Sequence, residues 1–218
     1  LPIHNFRSVD GGTMTINPLN LLDRDGIEAH LRAGGAALLP TDTLPALAAL
    51  PEQAAQLWRL KKRPQDKPLI LMGADLDGLL CHISPAARAD ASALAQLHWP
   101  GALTLVLPAF GPCAEALNPG VATLGLRIPA CKAILDLLRC SGPLATTSAN
   151  ASGEPASRTE MEAAGAFPDL PLLAPLPWPA PSCQASSVIA WRGPQGWHWL
   201  RRGAVMPAGV VSLPECSG

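Results

Sequence analysis

Short apolar runs, separated by longer amphipathic stretches, are the feature that most limits how this chain can fold. Five largely apolar runs occupy residues 36–39, 69–72, 103–107, 125–128 and 144–147. Runs of this length that are bounded by Gly and Pro are typical of buried strands, because helices need a longer repeat. The alternation of strand and helix patterns along one chain therefore predicts an α/β fold.

The stretches between these runs predict the helices. Their apolar spacing and turn residues favour helices over residues 20–33, with Asn20 as the N-cap, and over 52–62, 75–80, 85–97, 132–139 and 161–164. Residues 187–191 and 197–201 flank a Gly- and Pro-containing turn and predict a hairpin that adds antiparallel strands to the sheet. The segment 167–181 is too rich in proline for a regular central strand.

Length and charge bound the kind of protein. With 218 residues and a net charge of −1, the chain predicts one domain with small appendages and no broad electrostatic surface for nucleic acid. The absence of a long apolar run or a signal peptide predicts a soluble, cytoplasmic protein with no membrane partner. Six cysteines without a Cys-x-x-Cys pair, and five dispersed histidines, predict no metal site and no redox dithiol.

The strongest local charge lies in residues 61–67. Lys61, Lys62, Arg63 and Lys67 fall within seven positions, where Pro64 ends a helix and a predicted strand follows. Loops beside the strands of an α/β sheet are common ligand sites, so the cluster predicts a local polyanion site such as one for a nucleotide triphosphate. The alternative is a solvated helix end whose cations complement the helix dipole.

Three further polar loops lie next to predicted strands: residues 41–43, 148–150, and 186–187 together with 201–202. Their hydroxyls, amides and arginines suit a nucleotide or a small polar substrate, whereas no nucleophile–base pair stands out. Catalysis would then come from positioning and charge stabilisation, as in nucleotidyl transfer. Ordinary turns or helix caps are the alternative for each loop. Neither a P-loop nor a Gly-x-Gly-x-x-Gly motif occurs.

Five short motifs, taken together, resemble one known family. In chain order they are Pro40-Thr41-Asp42-Thr43; Lys61-x-Arg63-Pro64 with Lys67-Pro68-Leu69; Trp99-Pro100-Gly101 with Leu103-Thr104; Leu126-Arg127-Ile128-Pro129; and Thr147-Ser148-Ala149-Asn150. This set resembles the YrdC/TsaC family of threonylcarbamoyl-AMP synthases, over about residues 20 to 205. The resemblance implies an N-terminal extension at 1–18, a YrdC-like domain at 19–205 and a C-terminal tail at 206–218.

The family's fold and reaction follow as expectations. The resemblance implies an open, twisted, mixed α/β sheet around a large, positively lined cavity. It implies that L-threonine, bicarbonate or CO2, and ATP with Mg²⁺ give threonylcarbamoyl-AMP and pyrophosphate. The product serves the N6-threonylcarbamoyl modification of adenosine 37 in tRNA, which makes tRNA or the transferase complex a candidate partner.

The resemblance also assigns roles to residues. It makes Lys61 and Arg63 catalytic, and it places Thr41, Lys67, Arg127 and Ser187 at the threonine. Nucleotide contacts fall to Lys61, Arg63, Ser148, Asn150 and Arg201.

Two positions depart from the family pattern. Leu44-Pro45-Ala46 stands where the family has an aromatic residue and glycine, and Ala190 stands where it has aspartate. The first departure predicts an altered amino-acid pocket, as in a paralogue with another substrate. Two rivals are a carbamoyl-adenylating enzyme of the hydrogenase-maturation type and a module that binds tRNA or double-stranded RNA without synthase activity.

Overall fold

The computed structural model describes residues 19–65, 67–179 and 181–212. The strands in these ranges are β1 (Leu21–Leu22), β2 (Ala37–Leu39), β3 (Ala46–Ala49), β4 (Ile70–Met72), β5 (Leu103–Pro108), β6 (Thr123–Arg127), β7 (Leu144–Ser148), β8 (Leu172–Leu173), β9 (Ser187–Trp191) and β10 (Trp197–Arg201). The helices are α1 (Arg24–Arg32), α2 (Ala55–Lys61), α3 (Leu76–Leu80), α4 (Arg88–His98), α5 (Pro112–Leu117), α6 (Lys132–Ser141) and α7 (Glu160–Ala166).

All of these strands form one sheet in the order β1-β8-β2-β3-β7-β4-β6-β5-β9-β10. The sheet is mixed, since it contains parallel pairs such as β4–β6 and β5–β9 and antiparallel pairs such as β3–β7 and β4–β7. The two ends, β1 and β10, do not pair with each other, so the sheet is open. The prediction of an open, mixed α/β sheet is confirmed.

Each face of the sheet carries its own apolar core. Ala37 and Leu39 of β2 join Ile27 of α1 and Ile134 of α6 on one face, whereas Leu38 joins a larger cluster on the other face, which includes Leu57 of α2. This division follows from the strand repeat, because successive side chains point to opposite faces. Helix α1 packs against α6 and contacts β1, β8 and β2, toward one end of the sheet.

Local signals explain where several helices begin. The Asp23 carboxylate accepts a hydrogen bond from the Gly26 amide, and Asp75 caps α3 in the same way through Gly78. The predicted start of the first helix was therefore wrong: Asp23 is the N-cap, and Asn20 precedes the short strand β1. The predicted helix at 75–80 is confirmed within one residue.

Three short elements were not predicted as such. The strand β3 has the sequence Ala-Leu-Ala-Ala, which carries no β-branched or aromatic residue. Helix α5 has only six residues and begins with Pro112. The proline-rich segment contributes Leu172 and Leu173 to the sheet between β1 and β2, so the expectation that it holds no strand inside the sheet was wrong.

The predicted hairpin is confirmed. β9 and β10 pair antiparallel around a 3-10 turn at Gly193–Gln195, and β9 itself runs parallel to β5.

Within the described ranges, no helix is both long enough and apolar enough to cross a membrane. The predicted extension at 1–18 and residues 213–218 of the predicted tail lie outside the described residues, and the domain boundaries stay a prediction.

Candidate functional site

A cavity of about 250 Å³ lies over strands β3, β7, β4 and β6. It is on the face of the sheet that also carries α1 and α6, since Met72 belongs both to its lining and to their apolar cluster. Its floor consists of side chains that the strand register brings side by side, such as Ile70 of β4 next to Thr146 of β7. The lining residues are Thr43, Leu44, Pro45, Ala46, Arg63, Pro68, Ile70, Met72, Arg127, Thr146, Thr147, Ser148, Ala156, Ala185, Ser186 and Arg201.

The lining is strongly positive for a chain that is nearly neutral. Arg63, Arg127 and Arg201 all line the cavity, and no aspartate or glutamate does. They come from three distant parts of the sequence: the loop after α2, the end of β6 and the end of β10. Planar guanidinium groups bind carboxylate and phosphate oxygens in pairs, so this arrangement favours an anionic substrate.

Arg127 is held by a buried ion pair. Its side chain is 3% exposed, and it donates to the Asp42 carboxylate at 2.7 Å, to the Thr43 hydroxyl at 2.8 Å and to the Gly101 carbonyl at 3.0 Å. Burial lowers the pKa of Arg127, and the neighbouring Asp42 carboxylate opposes that shift. The pair thereby fixes the Thr-Asp-Thr turn to the end of β6.

Lys61 is buried to the same degree but has no carboxylate partner in the described chain. It is 3% exposed, and its ammonium donates to the carbonyls of Ser148 at 2.5 Å and Asn150 at 2.6 Å, and to Asn150 Oδ1 at 3.2 Å. Burial, with a smaller contribution from Arg63, lowers the pKa of Lys61 to about 8. Lys61 does not line the cavity. Its ammonium instead holds the end of β7 and the loop after it through these hydrogen bonds.

That loop is tied down at several other points. The Ser148 hydroxyl donates to Asn150 Oδ1 at 2.6 Å, and the Asn150 amide donates to the Glu154 carbonyl at 2.8 Å. The Ala149 amide bonds to the Pro45 carbonyl, and the Ser152 amide bonds to the Lys61 carbonyl. The structure therefore brings together the predicted residues Lys61, Ser148 and Asn150, with Ser148 facing the cavity.

Arg63 reaches the cavity because the chain reverses at the residue before it. Lys62 ends α2 in the left-handed conformation, with φ of 50°, and this turns Arg63 away from the direction of Lys61. The Arg63 guanidinium donates to the Thr147 hydroxyl at 3.0 Å and to the Pro68 carbonyl at 3.3 Å. Lys61 thus contacts the end of β7 and the loop after it, at Ser148 and Asn150, whereas Arg63 contacts β7 itself at Thr147.

Arg201 lies at the far wall of the cavity. It donates through Nε and one terminal nitrogen to the Ser186 carbonyl, at 3.1 and 2.9 Å, and to the Ser186 hydroxyl at 3.2 Å. Burial lowers the pKa of Arg201. The Ser186 hydroxyl also lies 2.9 Å from the hydroxyl of Thr104 on β5.

Besides Lys61 and Asn150, three predicted residues do not line this cavity. The Thr41 hydroxyl accepts from the amides of Thr43 and Leu44, as the turn alternative predicts, and Thr43 faces the cavity instead. Ser187 is fully buried, where its hydroxyl donates to the Val205 carbonyl and accepts from the Gly203 amide at 3.0 Å. Lys67 is exposed at the surface.

The residues that sequence reasoning missed are thus Thr43 and Ser186. A signal for Ser186 was available, because neighbouring residues at the start of a strand point to opposite faces. Ser187, the other serine of the pair, is buried because the backbone at Gly203 passes close to the start of β9. A Cβ on residue 203 would lie 2.3 Å from the Ala185 carbonyl oxygen, so only glycine permits this approach.

The segment that departs from the family pattern faces the cavity. Leu44, Pro45 and Ala46 all line it, next to Ile70 and Met72, so this wall is apolar. A second cavity of about 590 Å³ lies beyond Ala156, which lines both, and Asn150 contributes to it. Since small-molecule sites usually measure roughly 300–1,000 Å³, the two cavities together offer the space that the first lacks for a nucleotide.

A family model described as "Telomere recombination", for Sua5, YciO and YrdC, matches residues 29–203. A Stenotrophomonas maltophilia protein named threonylcarbamoyl-AMP synthase is 40% identical over 147 residues, which are 65% of this chain and 78% of that protein. The Bacillus subtilis protein of the same name is 38% identical over 135 residues, 58% of this chain but only 38% of that protein.

The crystal structure of Pyrococcus abyssi Sua5 complexed with L-threonine matches with a TM-score of 0.76 and 27% identity. The match covers 85% of this chain and 57% of that one, so this chain spans little more than half of the archaeal protein. Escherichia coli YciO, at 19% identity and a TM-score of 0.69, shares the fold. With the family model covering most of its length and the same fold in these structures, the chain belongs to the Sua5/YciO/YrdC family.

Proposed function

We propose that this protein forms L-threonylcarbamoyl-AMP and pyrophosphate from L-threonine, bicarbonate or CO2, and ATP. The observation that carries the proposal is the cavity lined by Arg63, Arg127 and Arg201 without a carboxylate. It is supported by membership of a family in which relatives up to 40% identical are named for this synthase.

The chemistry explains why such a cavity suits the reaction. The threonine amine and bicarbonate give a carbamate and water, and a carbamate oxygen then attacks the α-phosphorus of ATP while the bond to the β-phosphate breaks and pyrophosphate leaves. Both partners are anions, so their approach needs positive charge more than it needs a base. We assign Arg63 and Arg201 to the phosphates, and Arg127 to the carbamoylated amino acid.

Lys61 acts in this proposal through the loop after β7. Its ammonium holds the backbone carbonyls of Ser148 and Asn150, which sets where the Ser148 hydroxyl faces the cavity and where Asn150 borders the adjoining one. We assign Ser148 and Asn150 to the nucleotide, which would extend from the arginines into the larger cavity. Lys61 is then needed for catalysis because it positions groups that contact ATP.

At the threonine end of the site, three of the four predicted residues lie outside the cavity lining. Thr41, Lys67 and Ser187 keep the roles that the family resemblance implies, but each would act from outside the cavity lining. Thr41 and Ser187 support the turn and strand that carry Thr43 and Ser186, whose hydroxyls do line it. Lys67 would reach the substrate from the rim of the loop.

Mg²⁺ enters the proposal as part of the substrate MgATP. Among the described residues, no group of three or more His, Cys, Asp or Glu could hold a metal ion, and the cavity lining has no carboxylate. Because Mg²⁺ is commonly bound through substrate phosphates, the triphosphate would supply its ligands and the ion would lower the charge that the arginines must neutralise.

We further propose that the adenylate passes to a transferase that acts on adenosine 37 of tRNA. A carbamoyl adenylate hydrolyses readily in water, so a short path to its consumer has an advantage.

The test is to incubate the protein with ATP, Mg²⁺, bicarbonate and threonine, and to measure pyrophosphate and the adenylate. Release of both that depends on bicarbonate and on threonine is the expected result. An adenylate that forms without bicarbonate would indicate plain amino-acid activation, and no product with any amino acid would refute the proposal.

A second candidate is the same reaction with another amino acid. It is favoured by the apolar wall of Leu44, Pro45 and Ala46, the segment that departs from the family pattern and lines the cavity. Serine and valine in the same assay separate the two candidates, because faster product formation with either than with threonine would favour the second.

A further inference from the structure

A buried pair of hydroxyl groups lies behind the arginine wall of the cavity. The Thr104 hydroxyl on β5 is 2.9 Å from the hydroxyl of Ser186, and Thr104 is fully buried. Ser186 lines the cavity, whereas Thr104 does not. The Ser186 hydroxyl also accepts a hydrogen bond from Arg201 at 3.2 Å.

The direction of the bond between the two hydroxyls follows from counting donors and acceptors. Each hydroxyl has one proton and two lone pairs. Within the described chain, the Ser186 hydroxyl is the hydrogen-bond partner of the Thr104 hydroxyl, and burial keeps water away from it. If Ser186 were the donor, the Thr104 proton would be buried without an acceptor, which is unfavourable. Thr104 is therefore the donor.

This direction fixes the orientation of Ser186. Its two lone pairs accept from Thr104 and from Arg201, and its own proton is left to point away from both, toward the cavity that it lines. A donor aimed at an anionic oxygen beforehand stabilises charge without reorganisation. We infer that Thr104 is a positioning residue, which turns the Ser186 hydroxyl into a fixed donor for an anionic oxygen of the substrate.

The inference rests on the proposed function for its kinetic test, but its binding test needs no turnover. Thr104→Val keeps the shape of the side chain and removes the hydroxyl, and Thr104→Ser keeps the hydroxyl. We expect Thr104→Val to raise the Kd for inorganic pyrophosphate about fivefold and to lower kcat/KM by a similar factor. Thr104→Ser should restore both values to within about twofold of the wild type.

A double-mutant cycle with Ser186→Ala separates positioning from loss of packing. If Thr104 acts through Ser186, Thr104→Val changes the Kd by less than about twofold once the serine hydroxyl is gone. Asp75→Ala, which removes the cap of α3, serves as a control that lowers stability without changing the Kd. Calorimetric titration with pyrophosphate measures the Kd, and thermal unfolding verifies that each variant is folded.

The outcomes are distinct. Coupling in the pyrophosphate cycle together with absent turnover would support the role of Thr104 and refute the synthase. An additive cycle, or an unchanged Kd for Thr104→Val, would overturn the role of Thr104 and leave the synthase standing. Failure of the wild type to bind pyrophosphate would overturn this inference together with the anion site beneath it.

Discussion

Lys61 and Arg127 are both 3% exposed, yet the protein balances their charges in opposite ways. Arg127 forms an ion pair with the Asp42 carboxylate at 2.7 Å. Among the described residues, the hydrogen-bond partners of Lys61 are neutral oxygens: the carbonyls of Ser148 and Asn150, the Asn150 side chain and, at 3.5 Å, the Ser148 hydroxyl. One region encloses a neutralised pair, and the other encloses a net positive charge.

Because of this difference, the Arg127 contacts do not depend on pH near neutrality, whereas the Lys61 contacts depend on the protonation of its amine. Burial lowers the pKa of Arg127 and the Asp42 carboxylate opposes that shift; because an arginine side chain keeps its charge in proteins, the pair holds the Thr-Asp-Thr turn to β6 at neutral and mildly alkaline pH. Lys61 has no such partner in the described chain, and burial lowers its pKa to about 8. The loop after β7, which borders both cavities, is therefore held by a group that loses its proton at mildly alkaline pH.

The largest effect is expected from removing the carboxylate of the neutralised pair. Asp42→Ala leaves the Arg127 charge buried without a counter-ion and should lower the free energy of unfolding by about 3–5 kcal/mol. Urea denaturation measures this loss. Asp25→Ala, which breaks the exposed pair with Arg24, is the matched control and should leave stability unchanged. A loss for Asp42→Ala as small as that of the control would show that Arg127 does not depend on its partner.

Removing either cation of the Lys-x-Arg motif should reduce turnover strongly. Lys61→Ala and Arg63→Ala are each expected to lower kcat by at least ~10²-fold, the scale of losing one donor to the transition state. Arg63→Ala acts at the cavity directly, whereas Lys61→Ala releases the loop after β7. Steady-state pyrophosphate release measures both, with the exposed Arg59→Ala on the same helix as the control. Full activity in both variants would mean that the cluster is only a helix end.

Because of Lys61, raising the pH above 8 should lower the activity and raise the contribution of this residue to stability. Above pH 8 the ammonium deprotonates and releases the loop carbonyls, so kcat/KM should fall by up to about tenfold per pH unit. Because the folded pKa of about 8 lies below the ordinary 10.5, the unfolded chain binds more protons between these values, and the contribution of Lys61 to stability rises with pH there.

Comparison with Lys61→Met isolates this contribution. Urea unfolding of both proteins from pH 7.5 to 10.5 should show that the stability of the wild type gains relative to the variant, while its activity declines. A constant difference in stability across this range would mean that the Lys61 pKa is not lowered.

The same contrast explains how much of the site the sequence could predict. Charge and motif spacing predict an anion site, and the structure brings the predicted residues Arg63, Arg127 and Arg201 to the lining of one cavity. Spacing does not tell which cation faces the cavity: Lys61 and Arg63 are two residues apart and flank the left-handed Lys62, but Arg63 lines the cavity and Lys61 does not. Long-range packing decides this, and a motif does not encode it.

Some short strands were not predicted, for a related reason. The five apolar runs were correctly identified as strands because their composition and turns agree with their environment. The strand β3 was missed because its alanines carry little strand preference; it forms because β2 and β7 supply partners on both sides. Leu172 and Leu173 likewise owe their place to their neighbours β1 and β2. Such elements depend on tertiary pairing, which a single sequence does not display.

The smallest effect concerns Lys62, the exposed residue that separates the two directions of the motif. Its φ of 50° is costly for a side chain and free for glycine, so Lys62→Gly should raise the free energy of unfolding by about 1 kcal/mol. Because glycine keeps the left-handed turn, Lys61 should still hold its loop and kcat/KM should be unchanged. Urea denaturation and the pyrophosphate assay test the two statements separately. A loss of activity with a gain of stability would mean that the Lys62 ammonium itself attracts the polyanion. Three cations, the enclosed Lys61, the exposed Lys62 and the cavity-facing Arg63, would then serve the site in three different ways.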